Sequence, residues 1–306
     1  MRELKLKSVA YLIVLLTLIT SCKKEDFGQE TNQTTIQNGE SEIGGEITLY
    51  EVKGDKITVV KDYDVSGSDR DFQNDRNKHQ QIWDLVTKIV PLSHRNKMDK
   101  FLIYSGQSSG TAGFVDPTSN DLSTWRMGIA IDYAYDGGFN ANKELSYTII
   151  HEFGHILTLN NEQVNANTAE NNCNGFYLQE GCAKSGSYLH TIYKRFWADI
   201  YPEFRDKHNE GQTRMGQFYE KYQDRFVTEY AATNLVEDFA EVFAFFVTKA
   251  DRPAGNTIAD KKVLMLYEFP ELVSLRNEIR SNGGTRSAGG VDILPEPGKW
   301  RSVHKH

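Results

Sequence analysis

The sequence predicts an α+β fold, a small sheet followed by helices, and three observations carry that reading. Runs of β-branched and aromatic residues with strand-like alternation fall within residues 46–135, whereas from Lys143 onward almost every periodic segment repeats at helical spacing. The chain has 306 residues, 39% hydrophobic and 25% charged, so its apolar content is too high for wholesale disorder. Setting aside the two ends leaves roughly 240 residues, from about Ser41 to Arg280, which suits one domain rather than two.

The first segment reads as an address. Arg2, Lys5 and Lys7 precede a mostly apolar run, Val9 to Ile19. As a helix that run would rise only ~16 Å, about half of a bilayer core, so residues 1–21 are predicted to be a signal peptide and not a span. Ile19-Thr20-Ser21-Cys22 resembles a bacterial lipobox, which would make Cys22 the lipidated N-terminus of the mature chain; the alternative is an ordinary secretory signal that contains a Cys. The following Lys23-Lys24-Glu25-Asp26 resembles the signal that sends Bacteroidota lipoproteins to the outer face of the outer membrane. Residues 22–41 are nearly all polar, with Phe27 and Ile36 the only large apolar side chains, and are expected to form a flexible tether of ~25 Å end-to-end. Cleavage would remove Arg2, Glu3, Lys5 and Lys7 and take the formal charge from −7 to −9. An acidic chain without a basic cluster beyond its first residues offers no electrostatic footprint for nucleic acid.

In the body, residues 42–280, Glu46–Tyr50 and Ile57–Val60 read as two strands joined at Lys53-Gly54-Asp55. A helix is predicted from about Asn77 to Val90, with Ile82, Leu85, Val86 and Ile89 on one face and Pro91 as its stop. Phe101–Tyr104 and Arg126–Tyr135 read as further strands, the second of them the expected edge over a cleft where an extended peptide could pair. Helical periodicity then covers about 143–159, 187–205, 215–231, 234–249 and 260–281. Asp62 to Gln73 faintly resembles a calcium loop, but Gln73 stands where a bidentate Glu is needed, so this stretch reads as a turn. The tail, 281–306, carries paired glycines and two prolines and is expected to be loop or extension, with His304 and His306 on a solvated terminus.

His151-Glu152-Phe153-Gly154-His155 lies inside the predicted helix 143–159. Two His four residues apart on a helix are ~40° apart around the axis and ~6 Å along it, so both rings can reach one zinc ion, with Glu152 placed to take a proton from a zinc-activated water. With 8 His in 306 residues, chance matches to this pattern number roughly 0.015, so coincidence is a weak competitor. Gly154 costs about 1 kcal/mol relative to Ala inside a helix and predicts that another element packs closely there. The third ligand is less direct. Thr158 and Asn161 break the metzincin extension. Glu170 and Glu180 straddle the thermolysin-type position but lie in polar sequence around Cys173 and Cys182. The apolar stretch Asn234–Phe246 is the better source, because Glu237 and Glu241 recur four residues apart on one stripe and buried carboxylates need a cationic or imidazole partner.

His151 to His155, with Tyr230 followed by Glu237-Asp238-Phe239-Ala240-Glu241, resembles the zincin metallopeptidases that use Glu as third ligand. The Tyr-x6-Glu-x3-Glu spacing is similar to that of anthrax lethal factor and its relatives. With the lipobox, the chain most resembles the Bacteroidota substrate-import-associated zinc metallohydrolase lipoproteins. The resemblance implies a zincin-like fold, Glu237 as third zinc ligand, Tyr230 as a phenol donating to the oxyanion, and Glu241 as an acceptor behind a ligand His. Tyr230 would share a face with Glu237 if one helix ran through both, but Asn234 is also a good N-cap, which would put Tyr230 on the incoming segment.

The expected activity is therefore that of a lipid-anchored zinc metallopeptidase with Glu152 as general base and then acid. Its partners would be a peptide or protein substrate, outer-membrane lipid through Cys22 and an outer-membrane nutrient importer. Two alternatives stay open: a zinc hydrolase acting on glycopeptides or cell-wall peptides, and a surface binding lipoprotein of an uptake system whose zinc is structural. With Cys22 assigned to lipid, Cys173 and Cys182 remain as a pair, either bonded across a short loop or free.

Overall fold

A mixed five-stranded sheet on the N-terminal side, followed by helices, makes up the computed structural model, which describes residues 44–107, 109–141, 144–208 and 212–283. The predicted signal peptide, Cys22, the tether and the tail beyond residue 283, with His304 and His306, lie outside the described residues. In chain order the first part contains β1 (Glu46–Lys53), β2 (Lys56–Asp62), α1 (Gly67–Asn74), α2 (Arg76–Ile89), the short α3 (Leu92–Arg95), β3 (Met98–Tyr104), β4 (Gly113–Pro117), β5 (Trp125–Ala130) and the short α4 (Ile131–Ala134). Then come α5 (Glu144–Leu159), the two- and three-residue strands β6 (Val164–Asn165), β7 (Tyr177–Leu178) and β8 (Gly181–Ala183), α6 (Tyr188–Ile192), α7 (Tyr201–His208), α8 (Gln212–Lys221), α9 (Leu235–Thr248), α10 (Ile258–Leu266) and α11 (Pro270–Ser281). The α+β class read from the sequence is what is observed. No helix among the described residues is long and apolar enough to cross a membrane.

The sheet runs β2-β1-β3-β5-β4, antiparallel throughout except for the central parallel pair β3 and β5. Period-two alternation sorts its side chains. Phe101, Ile103, Met127 and Ile129 enter the main core, while Leu102, Tyr104 and Ala130 join a smaller cluster with Leu49 and Phe114. The predicted face of α2 is buried as expected, and Trp83 joins it, its ring 5.1 Å from that of Phe101. The β1–β2 turn places Gly54 at φ +62°, the left-handed region that favours glycine.

Several boundaries differ from the sequence reading. The strand expected over 126–135 ends at Ala130, and Ile131–Ala134 turns helical. That strand is also interior, flanked by β3 and β4. The edge on that side is β4, Gly113–Pro117, a stretch to which the sequence reading assigns no element; an edge strand tolerates Pro because one side of it makes no ladder bonds. The stretch read as a turn over 62–73 contains most of α1, whose Gln73 is buried and donates to the carbonyls of Ile47 and Tyr63. The span 187–205 is split by a π-helical turn at Tyr193–Trp197, and 260–281 is split before Pro270.

Two helices carry the site. In α5 every residue from Leu145 to Leu159 is buried, and in α9 nearly all are. They pack together at Gly154, where a Cβ would stand 3.2 Å from the Ala240 Cα, the close approach the sequence predicted. Asn234 caps α9, its Oδ1 accepting from the amides of Val236 and Glu237 at 2.9 Å each. At the other end Arg276 donates to the carbonyls of Phe246 and Lys249, and Arg280 to those of Val247, Thr248 and Lys249, so cations from α11 satisfy the terminal acceptors of α9.

Candidate metal centre

His151 and His155 project from one face of α5 toward Glu237 in the first turn of α9. The Nε2 atoms of the two rings lie 3.1 Å apart, and Glu237 Oε2 is 3.0 Å from the first and 3.4 Å from the second. All three residues are buried, at 3%, 6% and 1% exposure, so none is a solvated surface group. Ligands held about 2.1 Å from one ion at tetrahedral angles stand roughly 3.4 Å from one another, close to these separations. Among the described residues, these three form the group of His, Cys, Asp and Glu side chains able to hold a metal ion.

The hydrogen-bond pattern leaves an imidazole lone pair at that point. His151 Nδ1 lies 2.7 Å from Glu241 Oε1, and an ionised carboxylate only accepts, so Nδ1 carries the hydrogen. In the neutral ring Nε2 is then a lone pair facing a second imidazole and a carboxylate oxygen. The Nε2 hydrogen of a neutral His155 or a metal cation can fill the space between them. Burial alone would push the His151 ring down, but Glu237 and Glu241 outweigh it and hold the ring well above the usual imidazole range. Two buried carboxylates beside His151 thus favour positive charge there, which a proton or a bound cation would supply.

Glu241 is buried and serves several donors. Besides His151 it accepts from the Tyr147 hydroxyl at 3.1 Å and the Thr228 hydroxyl at 2.7 Å, both on Oε2. Burial and Glu241 keep the Tyr147 phenol protonated, well above its usual range. Tyr147 is one turn before His151 on α5, a signal the sequence contained; Thr228 carried none.

Glu152 is also buried, at 2% exposure, and lies against the edge strand. A Cβ on Gly113 would stand 2.6 Å from Thr148 Cγ2, 3.1 Å from Glu152 Cγ and 3.3 Å from Glu152 Oε1. The edge backbone therefore approaches the carboxylate as closely as it does because position 113 has no side chain.

Tyr230 sits in a separate 3₁₀ turn, Tyr230–Ala232, ahead of the Asn234 cap; no helix runs continuously from it to Glu237. Its ring centroid is 5.8 Å from that of His151. Burial, with Glu237, Glu152 and Glu241 nearby, pushes its phenol far above the usual range, so it stays a hydrogen-bond donor. Glu170 and Glu180 do not join the group. Cys173 and Cys182 are disulfide-bonded, closing the loop that carries β7 and the start of β8 between α5 and α6. No protein-family model, curated protein or solved structure matches this chain.

Proposed function

We propose that the protein is a zinc metallopeptidase of zincin type. The observation that carries this reading is the convergence of His151, His155 and Glu237 on one point, with Glu152 issuing from the same helix turn as the two His. Two imidazoles and one carboxylate are a borderline-soft donor set that suits zinc and leaves a coordination position for reactants. When bound there, zinc supplies Lewis-acid polarisation of a water and of the scissile carbonyl. Glu152 accepts the proton of the attacking water and returns it to the leaving amine nitrogen. Tyr230 donates its phenolic hydrogen to the oxyanion of the tetrahedral intermediate. An extended peptide would pair with the outer edge of β4, beside Glu152, main chain to main chain.

The same proposal has the mature chain exported and held at the outer membrane through lipid on Cys22, supported by the basic start, the Val9–Ile19 run and the residues around Cys22. Mass spectrometry of the N-terminal peptide tests this; an unmodified Cys22 removes the anchor.

The activity is tested by zinc stoichiometry on the purified protein together with cleavage of peptide and glycopeptide libraries. We expect one zinc per chain and cleavage, with Glu152→Gln retaining zinc and losing at least ~2–3 orders of magnitude in rate. Unchanged hydrolysis in that variant overturns the general-base role. Zinc binding with no turnover on any library overturns the hydrolase reading and favours a binding protein with structural zinc.

A further inference from the structure

We infer that Thr228 is a positioning residue that locks the Tyr230 turn to the carboxylate behind His151; the inference rests on the proposed hydrolase reading. The Thr228 hydroxyl is used in both directions. It donates to Glu241 Oε2 at 2.7 Å, and it accepts from the Ala231 amide at 3.1 Å. Ala231 follows Tyr230 in the 3₁₀ turn, and Glu241 holds His151 through Oε1. One hydroxyl thus joins the backbone that carries the phenol to the side chain that fixes the metal-facing ring.

The bland alternative is a cap, since a Thr three residues before an amide is a common way to satisfy the start of a turn. A cap alone does not need its hydrogen aimed at a buried carboxylate on another helix. That second bond adds a polar tie to the packing of the buried Ala231 and Ala232, in a stretch, residues 226–234, that holds no regular helix beyond the 3₁₀ turn before the Asn234 cap. A phenol that must meet a developing oxyanion gains its effect from being held in place before the reaction, and a shift of about 1 Å costs on the order of 100-fold.

The position is tested with Thr228→Val, which keeps the shape and removes both bonds, and Thr228→Ser, which keeps the hydroxyl. In zinc-loaded protein with a cleaved peptide, we expect Thr228→Val to lower kcat at least about tenfold with KM changed less than about threefold, and Thr228→Ser to stay within about threefold of the parent. In a Tyr230→Phe background Thr228→Val should change kcat less than about threefold, because its effect runs through the phenol. Hydrogen exchange at the Ala231 amide supplies a readout that needs no turnover: it should accelerate at least about tenfold in Thr228→Val and not in Thr228→Ser. Additive losses in the double variant, or unchanged Ala231 exchange in Thr228→Val, overturn the inference. If the parent protein cleaves nothing, the hydrolase reading fails, and Ala231 exchange still decides whether Thr228 holds the turn.

Discussion

Glu241 Oε1 stands 2.7 Å from His151 Nδ1, across the interface of two helices whose contributing residues are 90 positions apart in the chain. This contact sets the tautomer of His151 and turns Nε2 toward His155 and Glu237. A ligand imidazole oriented by a carboxylate is also more basic, so at the proposed metal site the contact would contribute to affinity without touching the ion.

Replacing Glu241 with Gln keeps its shape and removes its charge. Zinc affinity, measured by competition with a chelator, should fall by about 10–100-fold. An unchanged affinity would mean that His151 is held by packing alone.

Gly113→Ala brings a methyl group into van der Waals conflict with Thr148 and Glu152. Because Glu152 is not among the proposed ligands, zinc stoichiometry should be retained while kcat/KM drops by about tenfold or more, with stability reduced by about 1–3 kcal/mol from overpacking. Parallel measurements of metal content, cleavage and urea unfolding separate these effects. Full activity would show that the edge strand yields and that Glu152 does not depend on it.

On α9, Asp238 Oδ2 accepts from Lys262 Nζ at 2.5 Å and from Trp197 Nε1 at 2.6 Å, with both charged side chains fully buried. Burial pushes the Asp238 carboxyl up and the Lys262 ammonium down, so the pair is stable only as a pair. Lys262→Met should destabilise by about 3–5 kcal/mol by leaving an uncompensated charge, and Asp238→Asn added to it should recover part of that loss. Denaturant midpoints of the two variants test this. A double variant no more stable than the single one contradicts it.

His79 predicts an acid-sensitive fold. Its Nε2 donates to the Phe72 carbonyl at 3.0 Å, and in the neutral ring its Nδ1 accepts from the Tyr50 hydroxyl at 2.6 Å. Burial, with the Arg76 guanidinium beside it, lowers the ring to about 4 from an ordinary 6.5. The unfolded chain therefore binds the proton first. Stability from this group is complete above pH 6.5 and falls as pH drops toward 4, by about 3 kcal/mol in all. An NMR titration of His79 in the folded protein checks the source, and a midpoint above 6 would remove it.

How much of this was legible in the sequence depends on the range of the interactions. Local signals carried the α2 core face, the Asn234 cap, the His pair on α5 and the close packing at Gly154, because helix periodicity, capping and steric demand are written within a few residues. The α+β class followed from where alternation stops and helical spacing begins. Glu237 and Glu241 were found from the cost of burying charge, which also needs no partner to be known.

What only the tertiary structure decided lies in pairings across long stretches of chain. Whether β5 or β4 forms the sheet edge depends on strand order, and no local pattern marked Gly113–Pro117 as a strand. The tie from Thr228 to Glu241 and the seat of Glu152 against Gly113 join elements that carry no local trace of each other. The placement of Tyr230 before the cap, outside α9, belongs to the same group, since a seven-residue spacing fits one continuous helix as well as a turn followed by a cap. Sequence alone singled out the residues proposed to carry the chemistry, because residue type and short-range spacing are what mark them; their separations came from how α5, α9 and the sheet pack, because packing is a property of the whole chain at once.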